Sequence, residues 1–197
     1  MQLSFCINYH TKALVAVGSN LTSPAGPPEK TVSDAVCAVA QATGTVPVRS
    51  RFFRTPAFPA GSGPDFVNAC FVLDWAGTAP DLLAILHGVE ADFGRVRGQR
   101  WAARVLDLDL LALGGQVLPD AETHAAWRQM DLTDAGSQTP PTLILPHPRL
   151  QERGFVLVPL AEIAPSWCHP VTGHSVTEMR DALDPADLSG ITPLAGQ

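Results

Sequence analysis

The chain is 197 residues long, which suits a single domain and buries enough surface to fold without a disulfide or a structural metal. A hydrophobic fraction of 46% with 16% charged residues excludes a disordered chain, and a net charge of -6 excludes general attraction to nucleic acid or an anionic membrane. No apolar run approaches the ~20 residues of a membrane span. The start MQLSFCINYHTK lacks the basic end and apolar block of a signal peptide. A cytoplasmic protein is therefore expected, with residues 1–12 as a loose tail. Its four cysteines are dispersed without a CxxC, and Cys37 and Cys70 fall in apolar segments, so free buried thiols are expected.

ALVAV (13–17) reads as a short buried strand ending at the turn signal GSN. Pro27 and Pro28 precede a helix with Val32, Ala35, Val36 and Val39 at helical spacing, and Gly44 is its natural cap. VPVRSRFFRT (46–55) alternates as a strand, and FVNACFVLDW (66–75) is expected to pair with it across a long Pro- and Gly-rich loop. PDLLAILHGVEADFG (80–94) is a second amphipathic helix, and VLDLDLLALGG (105–115) a fourth strand. The order β-α-β-β-α-β predicts an α+β fold of ferredoxin-like type, an antiparallel sheet with both helices on one face. The single domain, 1–197, then carries a polar insertion (117–141) with a short helix near 121–130, a C-terminal extension with short segments around 155–163, and a tail over 180–197. The insertion reads as a tolerated surface segment that adds little core.

The fourth strand carries two carboxylates where apolar residues are the norm. Residues two apart share a face about 6.6 Å apart, so Asp107 and Asp109 project together while Leu106, Leu108 and Leu110 face the helices. Two like charges at that spacing repel by roughly 2.5 kcal/mol at an effective dielectric near 20. An arginine network that merely solvates the strand satisfies this need. So does a divalent cation such as magnesium, which binds through one or two carboxylates plus substrate phosphates and water. Just upstream, GRVRGQRWAAR brings Arg95, Arg97, Arg100 and Arg104 within ten residues. Arginine grips phosphate oxygens bidentately, so a Gly-containing arginine loop beside a dicarboxylate strand looks like a triphosphate clamp. Neither a GxxxxGK[ST] loop nor the protein-kinase motif set is present, so any nucleotide binds outside those schemes. Phe66, Asn68 and Phe155 offer two ring faces and an amide for an organic ring, although each Phe alone is also an ordinary core residue. His147 in LPHPRL suits either a phosphate contact or a satisfied structural histidine.

VGSN (17–20), FRTPAF (53–58), PDFVNA (64–69), Glu90, GRVRGQRWAARVLDLDLL (94–111), LPHPRL (145–150) and RGFVLVPLAEIAP (153–165) occur in one order along the chain. Together they resemble the 6-hydroxymethyl-7,8-dihydropterin pyrophosphokinases of folate biosynthesis. The resemblance implies transfer of pyrophosphate from ATP to the pterin hydroxymethyl oxygen, releasing AMP. It implies two Mg2+ ions held by Asp107 and Asp109, with Arg95, Arg97 and Arg104 neutralising phosphate charge as the remaining catalytic residues. Arg100, Trp101, His147 and Arg153 would join Arg95 and Arg97 on the nucleotide side. Phe66 and Phe155 would sandwich the pterin, Asn68 with Thr55, Pro56, Ala57 and Phe58 would read its edge, and Glu90 would stand in the pocket wall. A monomer acting on small molecules, without nucleic-acid or membrane partners, follows from the same resemblance.

The sequence departs from the family pattern in places. Phe66 stands where Tyr is frequent, Ala57 replaces a frequent second Pro, Ala102 and Ala103 replace a Gly-Pro, and one residue is missing between Arg97 and Arg100. These changes bear on loop motion rather than chemistry. A metal-dependent phosphohydrolase or nucleotidyltransferase would share the aspartate pair but not need the Phe–Asn–Phe set. A non-catalytic ferredoxin-like binding module would not need the acidic pair beside four arginines.

Overall fold

Alternating apolar residues, flanked by Gly and Pro, build most of the sheet in the computed structural model, which describes residues 11–23, 25–57, 63–95, 105–130 and 140–195. β1 (Thr11–Ser19) pairs antiparallel with β4 (Phe66–Trp75) on one side and with β5 (Asp107–Leu113) on the other. β2 (Val48–Arg49) and β3 (Phe53–Thr55) both pair with β4, and β6 (Thr192–Pro193) adds to β3. The result is a six-stranded antiparallel sheet in the order β5-β1-β4-β3-β6, with β2 also on β4.

The helices start and stop where their caps dictate. α1 (Pro28–Thr43) opens on Pro28 in its first turn and ends at Gly44, whose φ of 66° only glycine adopts freely; the Gly44 N–H bonds the Ala40 carbonyl. α2 (Ala79–Asp92) begins with a reciprocal capping box between Thr78 and Asp81. Their apolar stripes (Val32, Ala35, Val39; Leu82, Leu86, Val89) pack on the sheet face presented by Val15, Val17, Phe71, Leu73, Leu108 and Leu110. Leu106, Leu108 and Leu110 lie on this helix-covered face, as their alternation requires.

The opposite sheet face is covered as well. After α3 (Ala121–Gln129) and a 3-10 turn (Leu150–Glu152), α4 (Gly154–Ile163) and α5 (Val176–Asp181) bring Leu157, Leu160, Val176 and Met179 against Leu14, Cys70, Leu111 and Ala112. Burying each of these leucines contributes about 1.5–3 kcal/mol, so the C-terminal extension is a second core layer rather than an appendage. The register shifts between Leu14 and Val15, so Leu111 is an extra residue in β5. This bulge turns both Leu111 and Ala112 toward α4 and returns Leu113 to the α1–α2 side. Among the described residues no helix is long and apolar enough to cross a membrane.

Several expectations are corrected. The strand over 46–55 is broken into β2 and β3, because the Ser50 hydroxyl accepts the Cys70 N–H at 3.0 Å and takes a place in the ladder. Cys37 is exposed because it falls off the buried stripe of α1, whereas Cys70 is buried and free, its thiol pushed up by burial. Of the tail expected over 180–197, the described residues 180–195 are built into the fold: α6 (Pro185–Leu188) and β6 pack onto it, and Leu194 N–H bonds the Phe52 carbonyl at 2.8 Å. Thr11 and Lys12 belong to β1 rather than to a loose tail, while residues 1–10 lie outside the described ones.

Candidate active site

One row of the sheet holds the two kinds of chemistry side by side. Gly18 of β1 is in register with Asn68 of β4 on one side and with Asp107 of β5 on the other. Adjacent strands lie ≈4.8 Å apart, so Asp107 and Asn68 flank a strip of bare backbone at Gly18. A Cβ at Gly18 would stand 2.3 Å from Asn68 Oδ1 and 3.9 Å from the Phe66 ring, so glycine is the residue that keeps this trough open.

At the acidic end, Asp107 and Asp109 share one face of β5, their side chains 22% and 37% exposed, and each meets an arginine. Arg95 ion-pairs with Asp107 at 2.6 Å and also with Glu90, and Arg153 reaches Asp109 at 3.2 Å. Glu90 is 1% exposed on α2, where its Oε1 accepts the Leu108 N–H at 2.7 Å. Burial raises its carboxyl above the ordinary range, while the Leu108 amide and Arg95 pull it down and Asp107 and Asp109 push it up. Three carboxylates thus face two described guanidinium groups, with Arg95 shared by Glu90 and Asp107. Glu90 fixes the backbone just before Asp109 and orients the arginine in front of Asp107, a role its position in an otherwise apolar stripe signals. Among the described residues, no three His, Cys, Asp or Glu side chains are placed so that together they could hold a metal ion. Two adjacent carboxylates fit magnesium, which draws its remaining ligands from substrate phosphates and water.

At the aromatic end, Thr55 of β3 is buried and accepts a hydrogen bond from Asn68 Nδ2 at 2.7 Å. That bond fixes the amide, leaving Oδ1 over Gly18. Phe66 is half-buried, and Phe155, in the first turn of α4, is 39% exposed with its ring 5.6 Å from the Arg153 guanidinium. Ala57 is buried and Pro56 exposed. Both walls are braced by the same segment: Gly190, at φ 79°, allows Pro56 to approach to 2.7 Å of where a Cβ would lie, and at Gly154 a Cβ would stand 2.5 Å from the Asp187 carbonyl.

His147 completes the acidic end. Its N–H donates to the carbonyl of the bulge residue Leu111 at 2.7 Å, and its Nδ1 accepts the Arg149 N–H at 3.1 Å. Burial holds its imidazole well below the usual histidine range, as does Arg153, while Asp107 acts in the opposite sense. The structure therefore brings together Arg95, Asp107, Asp109, His147 and Arg153 at one end and Thr55, Phe66, Asn68 and Phe155 at the other. Phe58, Arg97, Arg100, Trp101 and Arg104 lie outside the described residues. Sequence reasoning did not single out Gly18, although the GSN turn signal lay there. It also missed His124, whose contacts are set by segments more than twenty residues away.

The profile of the 7,8-dihydro-6-hydroxymethylpterin-pyrophosphokinase family matches residues 14–165. This chain belongs to that family. The HPPK relatives include the 2-amino-4-hydroxy-6-hydroxymethyldihydropteridine pyrophosphokinase of Synechocystis sp., 33% identical over 93% of this chain and 80% of the relative. Those of Methylorubrum extorquens and Pseudomonas aeruginosa are each 34% identical, over 92% and 94% of this chain and 99% and 98% of their own lengths. In fold, the chain is similar to an HPPK-DHPS solved in complex with substrates (TM-score 0.61, 12% identity, 88% of this chain) and to the Plasmodium falciparum HPPK-DHPS triple mutant (TM-score 0.59, 11% identity, 87% of this chain). It spans 43% and 44% of those two chains. The chain is accordingly an ATP-dependent pyrophosphokinase of folate synthesis, acting on hydroxymethyldihydropterin.

Proposed function

We propose that the transfer of pyrophosphate from ATP runs along the row Asp107–Gly18–Asn68, with the pterin at the Asn68 end and the triphosphate at the Asp107 end. The adjacency of Asn68 and Asp107 across a side-chain-free Gly18 carries this reading. The pterin is sandwiched by Phe66 and Phe155, and its edge is read by Asn68, Thr55 and the backbone of Pro56, Ala57 and Phe58. Its hydroxymethyl group then points along the Gly18 trough toward Asp107.

Asp107 and Asp109 would hold two magnesium ions, and that metal would supply Lewis-acid stabilisation of the charge that develops on the ATP phosphates. The chain's own residues do the remaining work. Arg95 and Arg153, which neutralise the two aspartates, exchange part of that partnership for phosphate oxygens when ATP arrives, so the site's charge stays nearly balanced. Arg97 and Arg104 would neutralise phosphate charge, and Arg100, Trp101 and His147 would serve the nucleotide side. Pyrophosphoryl transfer asks little covalent work of a protein; positioning and charge stabilisation carry it. The ferredoxin-like β-α-β-β-α-β frame, read from the order β5-β1-β4-β3 with α1 and α2 on one face, and action as a monomer on small molecules belong to the same proposal.

Incubation with ATP, magnesium and 6-hydroxymethyl-7,8-dihydropterin should release AMP only when the pterin is present. Release of ADP and phosphate, or of AMP without pterin, would defeat this reading in favour of a phosphohydrolase.

A further inference from the structure

The segment over 117–141 is not a detached surface insertion, because the described part of it is tied to the loop that carries His147. Leu118 and Leu145 exchange backbone hydrogen bonds of 2.8 and 3.2 Å. Arg149 donates to the Met130 carbonyl just past the end of α3. Between these ties, His124 donates from Nε2 to the Pro146 carbonyl at 3.0 Å. His124 is the one buried residue of α3 and is 0% exposed. An apolar side chain would anchor a surface helix without the cost of burying an imidazole, which needs a hydrogen-bond partner to be tolerated. The partner here is the carbonyl on the peptide that leads into His147.

We propose that His124 is a positioning residue for the nucleotide half of the site, fixing residues 145–149 through the Pro146 carbonyl and so setting where His147 stands relative to Asp107. This rests on the placement of His147 on the nucleotide side proposed above. Proline has no N–H, so its carbonyl is the only backbone group Pro146 offers, and His124 takes it. The bond requires the proton on Nε2, and the surroundings disfavour a charged ring: among the described residues, Arg128 on the same helix and His169 and His174 from the segment after α4 face this cluster, and none of these is acidic. The His169 ring lies 5.7 Å from that of His124, and Trp167 packs edge-on against His169 at 5.9 Å. The latch therefore spans three segments, and its far end is the Leu111 carbonyl, two residues from Asp109.

The test compares full-length His124→Phe, which fills the space without a donor, with His124→Gln, whose Nε2 can still donate to Pro146. The Phe variant should raise the KM for ATP about five- to tenfold, the effect of one lost hydrogen bond, and leave the pterin KM within about twofold. The amide proton of His147 should exchange about tenfold faster in the free protein, and the Gln variant should restore both quantities. A folded Phe variant with wild-type ATP KM and His147 exchange overturns the proposal, as does an equal rise in both KM values. If the Phe variant does not fold, the Gln variant decides: wild-type values support the latch, and raised ATP KM with fast His147 exchange overturns it. Should the wild-type protein itself make no pterin-dependent AMP, the functional reading fails. The exchange measurements then still decide whether His124 holds the His147 loop.

Discussion

Gly18 and Asn68 face each other across the β1–β4 ladder so closely that a methyl group on Gly18 would lie 2.3 Å from Asn68 Oδ1. The amide cannot retreat without giving up its 2.7 Å bond to Thr55, and both partners are buried.

Gly18→Ala should therefore displace Asn68 and leave a buried hydroxyl poorly paired. The expected outcome is a loss of about 1–3 kcal/mol of stability from overpacking, and a rise of about tenfold in the pterin KM with the ATP KM nearly unchanged. Thermal unfolding and steady-state kinetics with each substrate varied check this. A variant with unaltered pterin KM would show that Asn68 does not read the pterin.

Asp107→Asn and Asp109→Asn should each lower turnover about a hundredfold or more while the protein stays folded. Like-charge repulsion alone would make each substitution stabilising, but the ion pairs with Arg95 and Arg153 offset that gain. Both carboxylates are partly exposed, so the net change in stability should be small. Coupled AMP-release assays and melting curves test both halves. Near-wild-type turnover in either variant would remove that aspartate from the metal-binding role.

The pH dependence of stability should report Glu90. Its carboxyl is raised above the ordinary 4.5 by burial, so the folded state holds a proton that the unfolded chain has already released. Across that window stability falls as pH rises, from the ordinary carboxylate value up to the raised one. Glu90→Gln keeps an acceptor for the Leu108 amide and removes the titration, so the difference between the two stability curves should open with rising pH in favour of the Gln variant. Urea unfolding midpoints at half-unit pH steps measure it, and parallel curves would show that Glu90 does not titrate differently in the folded state.

His169 should act in the opposite sense. Burial, aided by His124, Arg128 and His174, pulls its imidazole down to about 4 from the ordinary 6.5. A group held neutral in the fold withdraws stability as pH falls below its unfolded value, so this contribution is lost from about pH 6.5 down toward pH 4 and amounts to about 3 kcal/mol at the acid end. His169→Asn retains an acceptor for the Val171 and Thr172 amides that now bond Nδ1 at 3.2 and 3.3 Å. It should flatten the melting temperature across that range. An unchanged acid slope would place the titration elsewhere.

The helices and the long strands were legible because local patterns settle them. Val32, Ala35 and Val39 mark one stripe of α1, and the alternation of Leu106, Leu108 and Leu110 with Asp107 and Asp109 places the two carboxylates on one face. The aromatic and acidic residues of the site were legible for a similar reason, since carboxylates in a strand and arginines in a loop are costly enough to need a purpose. What the pattern does not carry is pairing. The break at Ser50 arises from a hydroxyl that joins the ladder, and the bulge at Leu111 exists only relative to β1. Cys37 shows the same limit on a smaller scale, because an apolar neighbourhood in sequence does not decide which side of a helix a residue occupies. His124 and His169 come together from segments 45 residues apart, and composition reads the first of them as part of a polar insertion.

The brace formed by α6 and β6 has a consequence for how the protein is made on a ribosome. β3 and Pro56 are synthesised more than 130 residues before the strand and the Gly190 turn that pack on them, and Gly154 waits more than thirty residues for the Asp187 carbonyl. A growing chain can lay down β1, β4 and β5 with Asp107 and Asp109 early, while His147 and Arg153 follow later and the aromatic end stays unbraced until Pro193 has left the exit tunnel. The two aspartates therefore take their place in the sheet before the ring-binding walls are braced, and a product cut short before Pro185 would keep Asp107 and Asp109 on β5 but lack the Asp187 and Gly190 contacts that hold Gly154 and Pro56.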